Sequence, residues 1–138
     1  MRSKKIFCFS FLSFITFCIL SFAQTPSVYF QQGNTAFEKK LFDSAVMLYT
    51  KAIESDPGSS EIYIKRGRAF LETGKNDDAI VDFSTAISLD PKSGEAYYYR
   101  GVARKLKKSP AQNWCDDFRK AIALGFQNAT NAIKEDCK

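Results

Sequence analysis

The sequence predicts an all-α fold in which helical hairpins stack on one another. The main observation is that residues of several types recur with a period of 34 positions. The positions in this register are Tyr29, Tyr63 and Tyr97; Gly33, Gly67 and Gly101; Ala45 and Ala79; Tyr49 and Phe83; Ala52 and Ala86; and Asp56-Pro57 and Asp90-Pro91. A fixed period of this length predicts a stacked-repeat architecture.

Each period contains two runs of apolar residues at helical spacing, which predicts two helices per unit. In the best-defined unit these residues are Ile62, Tyr63, Gly67, Phe70 and Leu71 for the first helix, and Ala79, Ile80, Phe83, Ala86 and Ile87 for the second. Gly74 lies between the two runs, where a helix would end and the chain would turn. In the first unit Lys40 takes the place of Gly74, which predicts a looser or differently made turn.

These positions resemble the tetratricopeptide repeat. The motif places aromatic, glycine, large apolar, alanine and proline residues in a fixed order, found here at Tyr63, Gly67, Phe70, Ala79, Phe83, Ala86 and Pro91. The resemblance covers about residues 26–125 and implies a right-handed superhelix of three hairpins, at about 26–59, 60–93 and 94–125. It also implies that the protein binds another protein or a peptide.

The first 23 residues have the pattern of a secretory signal peptide. Three cations in residues 1–5 precede an uncharged, mostly apolar segment from Ile6 to Phe22. We expect cleavage after Ala23, which leaves a domain of residues 24–138 and lowers the formal charge from +5 to +2, because the three cations leave with the leader. The alternative is an uncleaved anchor, since about 17 residues is the lower limit for spanning a bilayer. Only in that case would the chain have a membrane as a partner.

The third repeat departs from the pattern. Phe118 lies 35 residues after Phe83, so one residue has been added. The insertion is expected around residues 107–110, where Pro110 cannot continue the first helix of the hairpin. Trp114 falls where the earlier repeats have alanine. A tryptophan does not fit the same tight crossing, which predicts a different packing angle or a function for Trp114 in covering the end of the stack.

Residues 126–138 are predicted to form a final, capping helix. Its apolar side would consist of Phe126, Ala129, Ala132 and Ile133, and its other side is polar. A stack of repeats needs a terminal element whose outer face is polar, because no further repeat covers it.

Cys115 and Cys137 are predicted to form a disulfide bond. The turn at Gly125 lies ten residues after Cys115 and twelve residues before Cys137. At about 1.5 Å per helical residue, an antiparallel hairpin would place the two cysteines nearly opposite each other. An exported chain also meets an oxidising compartment. Two unpaired thiols are the alternative. A metal site is not expected, because these are the only two cysteines left after cleavage and the chain has no histidine.

The sequence offers little for catalysis. The absence of histidine excludes Ser-His and Cys-His arrangements, and neither common type of phosphate-binding glycine loop is present. The acidic pairs Asp77-Asp78 and Asp116-Asp117 are interpreted as helix-start charges on solvated faces, because adjacent residues on a helix point apart. We therefore expect neither an enzyme nor a cofactor.

By the resemblance, the first helix of each hairpin lines the concave face of the superhelix, where a ligand would bind. The nine residues expected there are Phe30, Asn34, Phe37, Ile64, Arg68, Leu71, Tyr98, Val102 and Lys105. This mixture of apolar and polar side chains suits an extended peptide or a partner helix. The alternative for each residue is that it only packs between repeats.

The family also includes carboxylate clamps that hold the C-terminal tail of a chaperone. Those clamps use lysine and asparagine at positions where this chain has Phe30, Lys65 and Tyr98, and only Asn34 fits the pattern. The clamp activity is therefore not expected here.

The run from Arg100 to Lys108 holds five cations and no acid. It is either a patch for an anionic partner or a solvated face that Asp116 and Asp117 partly neutralise. No interleaving of aromatic and basic residues accompanies it, so a specific nucleic-acid partner is not expected.

The sequence thus predicts an exported, non-catalytic interaction module that binds a protein or peptide on the concave face of three stacked hairpins. The expected localisation is the periplasm or cell envelope of a bacterium, with secretion as the alternative. A different function remains open, in which the chain is a permanent structural subunit of an envelope complex without an exchangeable ligand.

Overall fold

The computed structural model describes residues 26–137, and within this range the chain forms seven α-helices and no strand. The helices are α1 (Pro26–Glu38), α2 (Phe42–Ser55), α3 (Ser60–Glu72), α4 (Asn76–Leu89), α5 (Gly94–Leu106), α6 (Ala111–Ala123) and α7 (Ala129–Asp136). Helices α1 to α6 form three antiparallel hairpins that stack in order, and α7 packs on α6. The predicted all-α stack of three hairpins with a C-terminal helix is confirmed. The predicted signal peptide lies outside the described residues.

The same close approach of a glycine and an aromatic ring holds each hairpin together. A Cβ atom added to Gly33, Gly67 or Gly101 would lie 2.6–2.7 Å from a ring atom of Tyr49, Phe83 or Phe118, respectively. These distances are far shorter than van der Waals contact, so only glycine lets the ring pack against the helix backbone. The three aromatic rings are almost completely buried. The three glycines therefore occupy equivalent places in the stack.

The turn inside each hairpin also repeats. Lys40, Gly74 and Lys108, spaced 34 residues apart, have positive φ angles of 58°, 74° and 59°. The next backbone N–H in each turn donates a hydrogen bond of 2.9 Å back to a carbonyl five residues earlier, as in the bond from Leu41 to Ala36. This is the glycine-type helix ending known as the Schellman motif. The expectation of a different turn at Lys40 was wrong, because the lysine adopts the glycine conformation.

The third hairpin keeps the packing of the other two. Its turn, residues 107–110, has four residues where the corresponding turns, 39–41 and 73–75, have three, which confirms the position of the insertion. Trp114 does not prevent the close approach of Gly101 and Phe118. The backbone carbonyl of Trp114 approaches Gly101, while its buried ring packs edge-on against Phe118 at a centroid distance of 6.0 Å.

A partly buried arginine joins neighbouring hairpins at both internal interfaces. Arg66 donates two hydrogen bonds to Asp82, of 2.8 and 2.7 Å, and a third, of 3.1 Å, to the hydroxyl of Thr50 in the preceding repeat. Arg100 makes the same set with Asp117 and Ser84. Asp82 and Asp117 are buried. Burial raises the pKa of Asp82 against the opposing effect of Arg66, and the hydrogen bonds that Arg66 donates to Asp82 raise the pKa of Arg66.

The C-terminal helix covers the last hairpin. Ala129, Ala132 and Ile133 pack into the cluster that contains Trp114 and Phe118, and the exposed side of α7 carries Asn131 and Lys134. The Sγ atoms of Cys115 and Cys137 lie 2.08 Å apart, at disulfide distance, with their Cα atoms 5.7 Å apart. The covalent link would attach the end of α7 to α6. None of the helices in residues 26–137 is both long and apolar enough to cross a membrane.

Candidate functional site

A groove of about 410 Å³ lies between the first helices of the first two repeats, α1 and α3. We call it the α1–α3 groove. Its lining residues are Gln31, Asn34, Phe37, Glu38, Tyr49, Lys65 and Arg68. The groove therefore combines aromatic rings, one carboxylate, two amides and two cations.

Asn34 is held in place by a hydrogen bond inside the first hairpin. The hydroxyl of Tyr49 donates to Oδ1 of Asn34 at 2.8 Å. Burial raises the pKa of Tyr49 to about 12, so the phenol keeps its proton at neutral pH. Because the carbonyl side of the amide accepts this bond, the Nδ2 group of Asn34 is left to donate to an acceptor in the groove.

Arg68 connects three repeats. Its guanidinium carbon lies 5.4 Å from the ring centroid of Phe37 and 5.0 Å from that of Tyr99, so it contacts aromatic rings of the first and third repeats. It also forms an ion pair with Glu95, in which Nη1 of Arg68 lies 3.7 Å from Oε1 of Glu95. The side chain is 29% exposed, so the charge remains accessible although the rings restrict its position. Burial also raises the pKa of the hydroxyl of Tyr99, whose ring is one of the two that Arg68 contacts.

Three of the nine predicted site residues come together in the α1–α3 groove, namely Asn34, Phe37 and Arg68. Phe30 lies beside the groove and packs against the ring of Tyr49 at a centroid distance of 6.0 Å. Ile64 was wrongly placed on an accessible surface. It is only 5% exposed because it belongs to the buried cluster around Phe83.

The remaining four predicted site residues lie apart from this groove. Leu71 packs on the cluster of the second repeat, and Tyr98 and Val102 pack on the cluster of the third. Lys105 lies 5.8 Å from the centroid of the Trp114 ring. These four positions contact the clusters of the second and third repeats, and their predicted function in ligand binding stays a prediction.

Sequence reasoning missed four residues of the groove: Gln31, Glu38, Tyr49 and Lys65. A signal existed for two of them, because Gln31 and Glu38 lie three residues before and four residues after Asn34, on the same stripe of α1. Lys65 was noted only as a mismatch to the family's clamp. Tyr49 was assigned to the interior, where its ring does lie, but its hydroxyl reaches the groove.

The basic run from Arg100 to Lys108 is partly neutralised by internal partners. Arg100 and Arg104 both bind the buried carboxylate of Asp117, and Lys107 forms an ion pair with Asp77. The interpretation of Asp117 as a solvated charge was wrong, because the side chain lies between two arginines and is only 4% exposed. These contacts favour a structural function for the run over a patch for an anionic partner.

Family models for the tetratricopeptide repeat match residues 26–59 and 48–81, and a third, described as a TPR repeat, matches residues 67–107. The TPR domain of OM64 from Arabidopsis is 34% identical, over 81% of this chain and 93% of that one, with a TM-score of 0.76. The chain belongs to the tetratricopeptide repeat family.

Two solved structures of tetratricopeptide domains similar to this chain contain bound peptides. The first TPR of Spaghetti (RPAP3), bound to the HSP90 peptide SRMEEVD, is 27% identical over 82% of this chain and 90% of that one, with a TM-score of 0.77. The second TPR domain of human RPAP3, in complex with the HSP70 peptide SGPTIEEVD, is 25% identical over 82% and 98%, with a TM-score of 0.74. A comparison with curated protein sequences gives no significant match.

Proposed function

We propose that this tetratricopeptide domain is a non-catalytic interaction module, and that its α1–α3 groove binds an extended peptide carrying a carboxylate. The observation that supports this most directly is the convergence of Asn34, Lys65 and Arg68 on one groove beside Phe37. Amide and cationic donors can bind a carboxylate, and the aromatic ring offers apolar contact to a neighbouring side chain.

The peptides bound by two similar domains agree with this chemistry. Both peptides, SRMEEVD and SGPTIEEVD, contain several acidic residues. The donors in this chain differ from the clamp pattern of the family, in which only Asn34 has a counterpart. We therefore propose the class of ligand, an acidic peptide, and not the particular sequence.

Binding can be tested with SRMEEVD as a fluorescently labelled first probe, in anisotropy titrations of the chain starting at Gln24. A second peptide, in which glutamine replaces both glutamates, asparagine replaces the aspartate and the C-terminus is amidated, tests the requirement for carboxylates. We expect Arg68→Ala and Lys65→Ala to weaken binding of acidic peptides, while Lys92→Ala, in an exposed turn between repeats, leaves it unchanged. If the second peptide binds as well as the acidic one, the proposed ligand class is wrong.

We also propose that the protein works outside the cytoplasm, in the periplasm or cell envelope, after removal of residues 1–23. The proposal is supported by the charge and hydropathy pattern of the N-terminal segment and by the cysteines at disulfide distance. Mass spectrometry of the N-terminus of the protein purified from its source cell tests the cleavage. A mature N-terminus at Gln24 is the expected result, and an intact Met1 would contradict it.

A further inference from the structure

The N-terminal end of the stack exposes a surface that is buried in the other two repeats. Ile62 and Ala69 of α3 pack into the core of the first repeat, and their exposed fractions are 4% and 0%. The corresponding residues of α1, 34 positions earlier, are Val28 and Thr35. Both are exposed, because no repeat precedes α1 among the described residues, and the exposed fraction of Val28 is 38%.

This end surface also lacks the charges found at the internal interfaces. The positions of Arg66 and Asp82 are taken in the first repeat by Gln32 and Leu48. A terminal repeat that faces water is expected to be more polar than an internal one. Here the reverse holds, since an ion pair is replaced by an amide and a leucine.

The surface is concave and carries little charge. A groove of about 440 Å³ runs between α1 and α2, with Ala36, Leu41 and Leu48 as its apolar residues, and Lys39 is the one charged residue among the described residues that line it. Leu41 is 55% exposed. We call this surface, made by Val28, Gln32, Thr35, Leu41 and Leu48, the N-terminal face.

We propose that the N-terminal face binds the N-terminal face of a second copy of this chain, giving a closed two-fold dimer. A surface with so little charge can meet its own copy without repulsion between like charges. The opposite end of the stack is covered by α7, whose exposed Asn131 and Lys134 make it polar. Head-to-tail stacking of copies is therefore disfavoured, and head-to-head pairing remains.

The length of the chain before α1 helps to decide what covers the N-terminal face. If the leader is removed after Ala23, only Gln24 and Thr25 precede Pro26, and two residues are too short to cover the groove. The processed chain then has no segment of its own for this surface. A second copy supplies an equal area of the same neutral, partly apolar chemistry.

The test is the mass in solution of the protein expressed from the complete sequence, with its N-terminus determined by mass spectrometry. We expect sedimentation equilibrium to give the mass of two processed chains, with dissociation on dilution. The double variant Gln32→Arg/Leu48→Asp restores the ion pair of the second and third repeats, and we expect it to be monomeric. Its helicity should match the wild type, because the same pair is accommodated at Arg66 and Asp82.

Met47→Asp is the matched control, since Met47 lies next to Leu48 on α2 and is 65% exposed. This variant should remain dimeric. A wild-type protein that stays monomeric at millimolar concentration would overturn the proposal. So would a dimer that the double variant does not dissociate, because the interface would then lie elsewhere. An unprocessed chain whose leader crosslinks to Leu48 within one molecule would also overturn it, in favour of the leader as occupant.

Discussion

The guanidinium carbon of Arg68 lies 5.0 Å from the centroid of the Tyr99 ring, so a cation of the second repeat rests on an aromatic residue of the third. Phe37 of the first repeat approaches the same guanidinium from its own helix, at 5.4 Å. One side chain thus relates the positions of three successive first helices. It is also one of the two cations that we propose to contact the ligand, which couples the shape of the groove to its charge.

The conservative variant Arg68→Lys should therefore impair binding although it keeps the charge. A lysine ammonium does not present the flat guanidinium that contacts the two rings. We expect a loss of about 1 kcal/mol of binding free energy for the acidic peptide, or about fivefold in Kd. Anisotropy titration measures it, and equal affinities of the two proteins would show that the aromatic contacts do not position the cation.

Gly67→Ala should destabilise the second hairpin, because the new methyl group would lie 2.7 Å from the ring of Phe83. We expect the free energy of unfolding to fall by about 1–3 kcal/mol, the usual cost of overpacking a core. Urea denaturation measures the change. Gly58→Ala is the control, since its nearest neighbour lies at 3.7 Å and the turn has room for a methyl group. Replacing Phe83 by leucine in the Gly67→Ala background should recover part of the loss.

Lys40→Gly should stabilise the protein. Lys40 has a φ angle of 58°, a conformation that costs a residue with a side chain about 1–2 kcal/mol more than glycine. After the greater entropy loss of glycine on folding is subtracted, a net gain of about 0.5–1 kcal/mol is expected. Lys39→Gly, one residue earlier, should instead lower stability, because Lys39 is not among the positive-φ residues of the described range. Thermal denaturation of both variants distinguishes the two effects.

Asp82→Asn should be strongly destabilising. The carboxylate is only 3% exposed, and its loss leaves the partly buried Arg66 without its negative partner. Removing one member of a buried pair costs about 3–5 kcal/mol. Asp43→Asn removes an exposed carboxylate paired with Lys75 at 3.5 Å and should cost less than about 1 kcal/mol. Similar losses for the two variants in urea denaturation would show that burial does not strengthen the pair.

Reduction of the Cys115–Cys137 link should lower stability by about 3 kcal/mol, as expected for a loop of 22 residues. Hydrogen exchange should show that the loss is greatest in α7, which packs mainly on α6. The double variant Cys115→Ala/Cys137→Ala is the control, since reducing agent should not change its stability. Free thiols on both residues of the untreated, natively purified protein would contradict the pairing.

The sequence predicted those features of the fold that depend on spacing alone. The 34-residue period located the hairpins, and the lag of Phe118 located the insertion in the third turn. At Lys40 the period again gave the right place, but residue preference gave the wrong conformation. The two packed helices fix the geometry of the turn, and lysine accepts the strain.

The contacts between repeats were harder to predict. Arg66 and Asp82 recur as Arg100 and Asp117, but nothing in the spacing shows that the arginine crosses to the second helix of its own hairpin. Ile64 was misplaced for a related reason. The side of α3 that faces the next repeat depends on how the hairpins are rotated relative to one another, which a helical period does not specify.

The hydrogen bonds of Arg66 and Arg100 to the preceding repeats have a practical consequence. The segment of residues 60–93 carries both halves of the junction, because Arg66 reaches back to Thr50 while Ser84 receives the bond from Arg100. In extra tandem copies of this segment, Arg66 of one copy could therefore donate to Ser84 of the copy before it, so each new joint would keep this hydrogen bond. The result would be a longer stack of hairpins, whose length is set by the number of inserted copies.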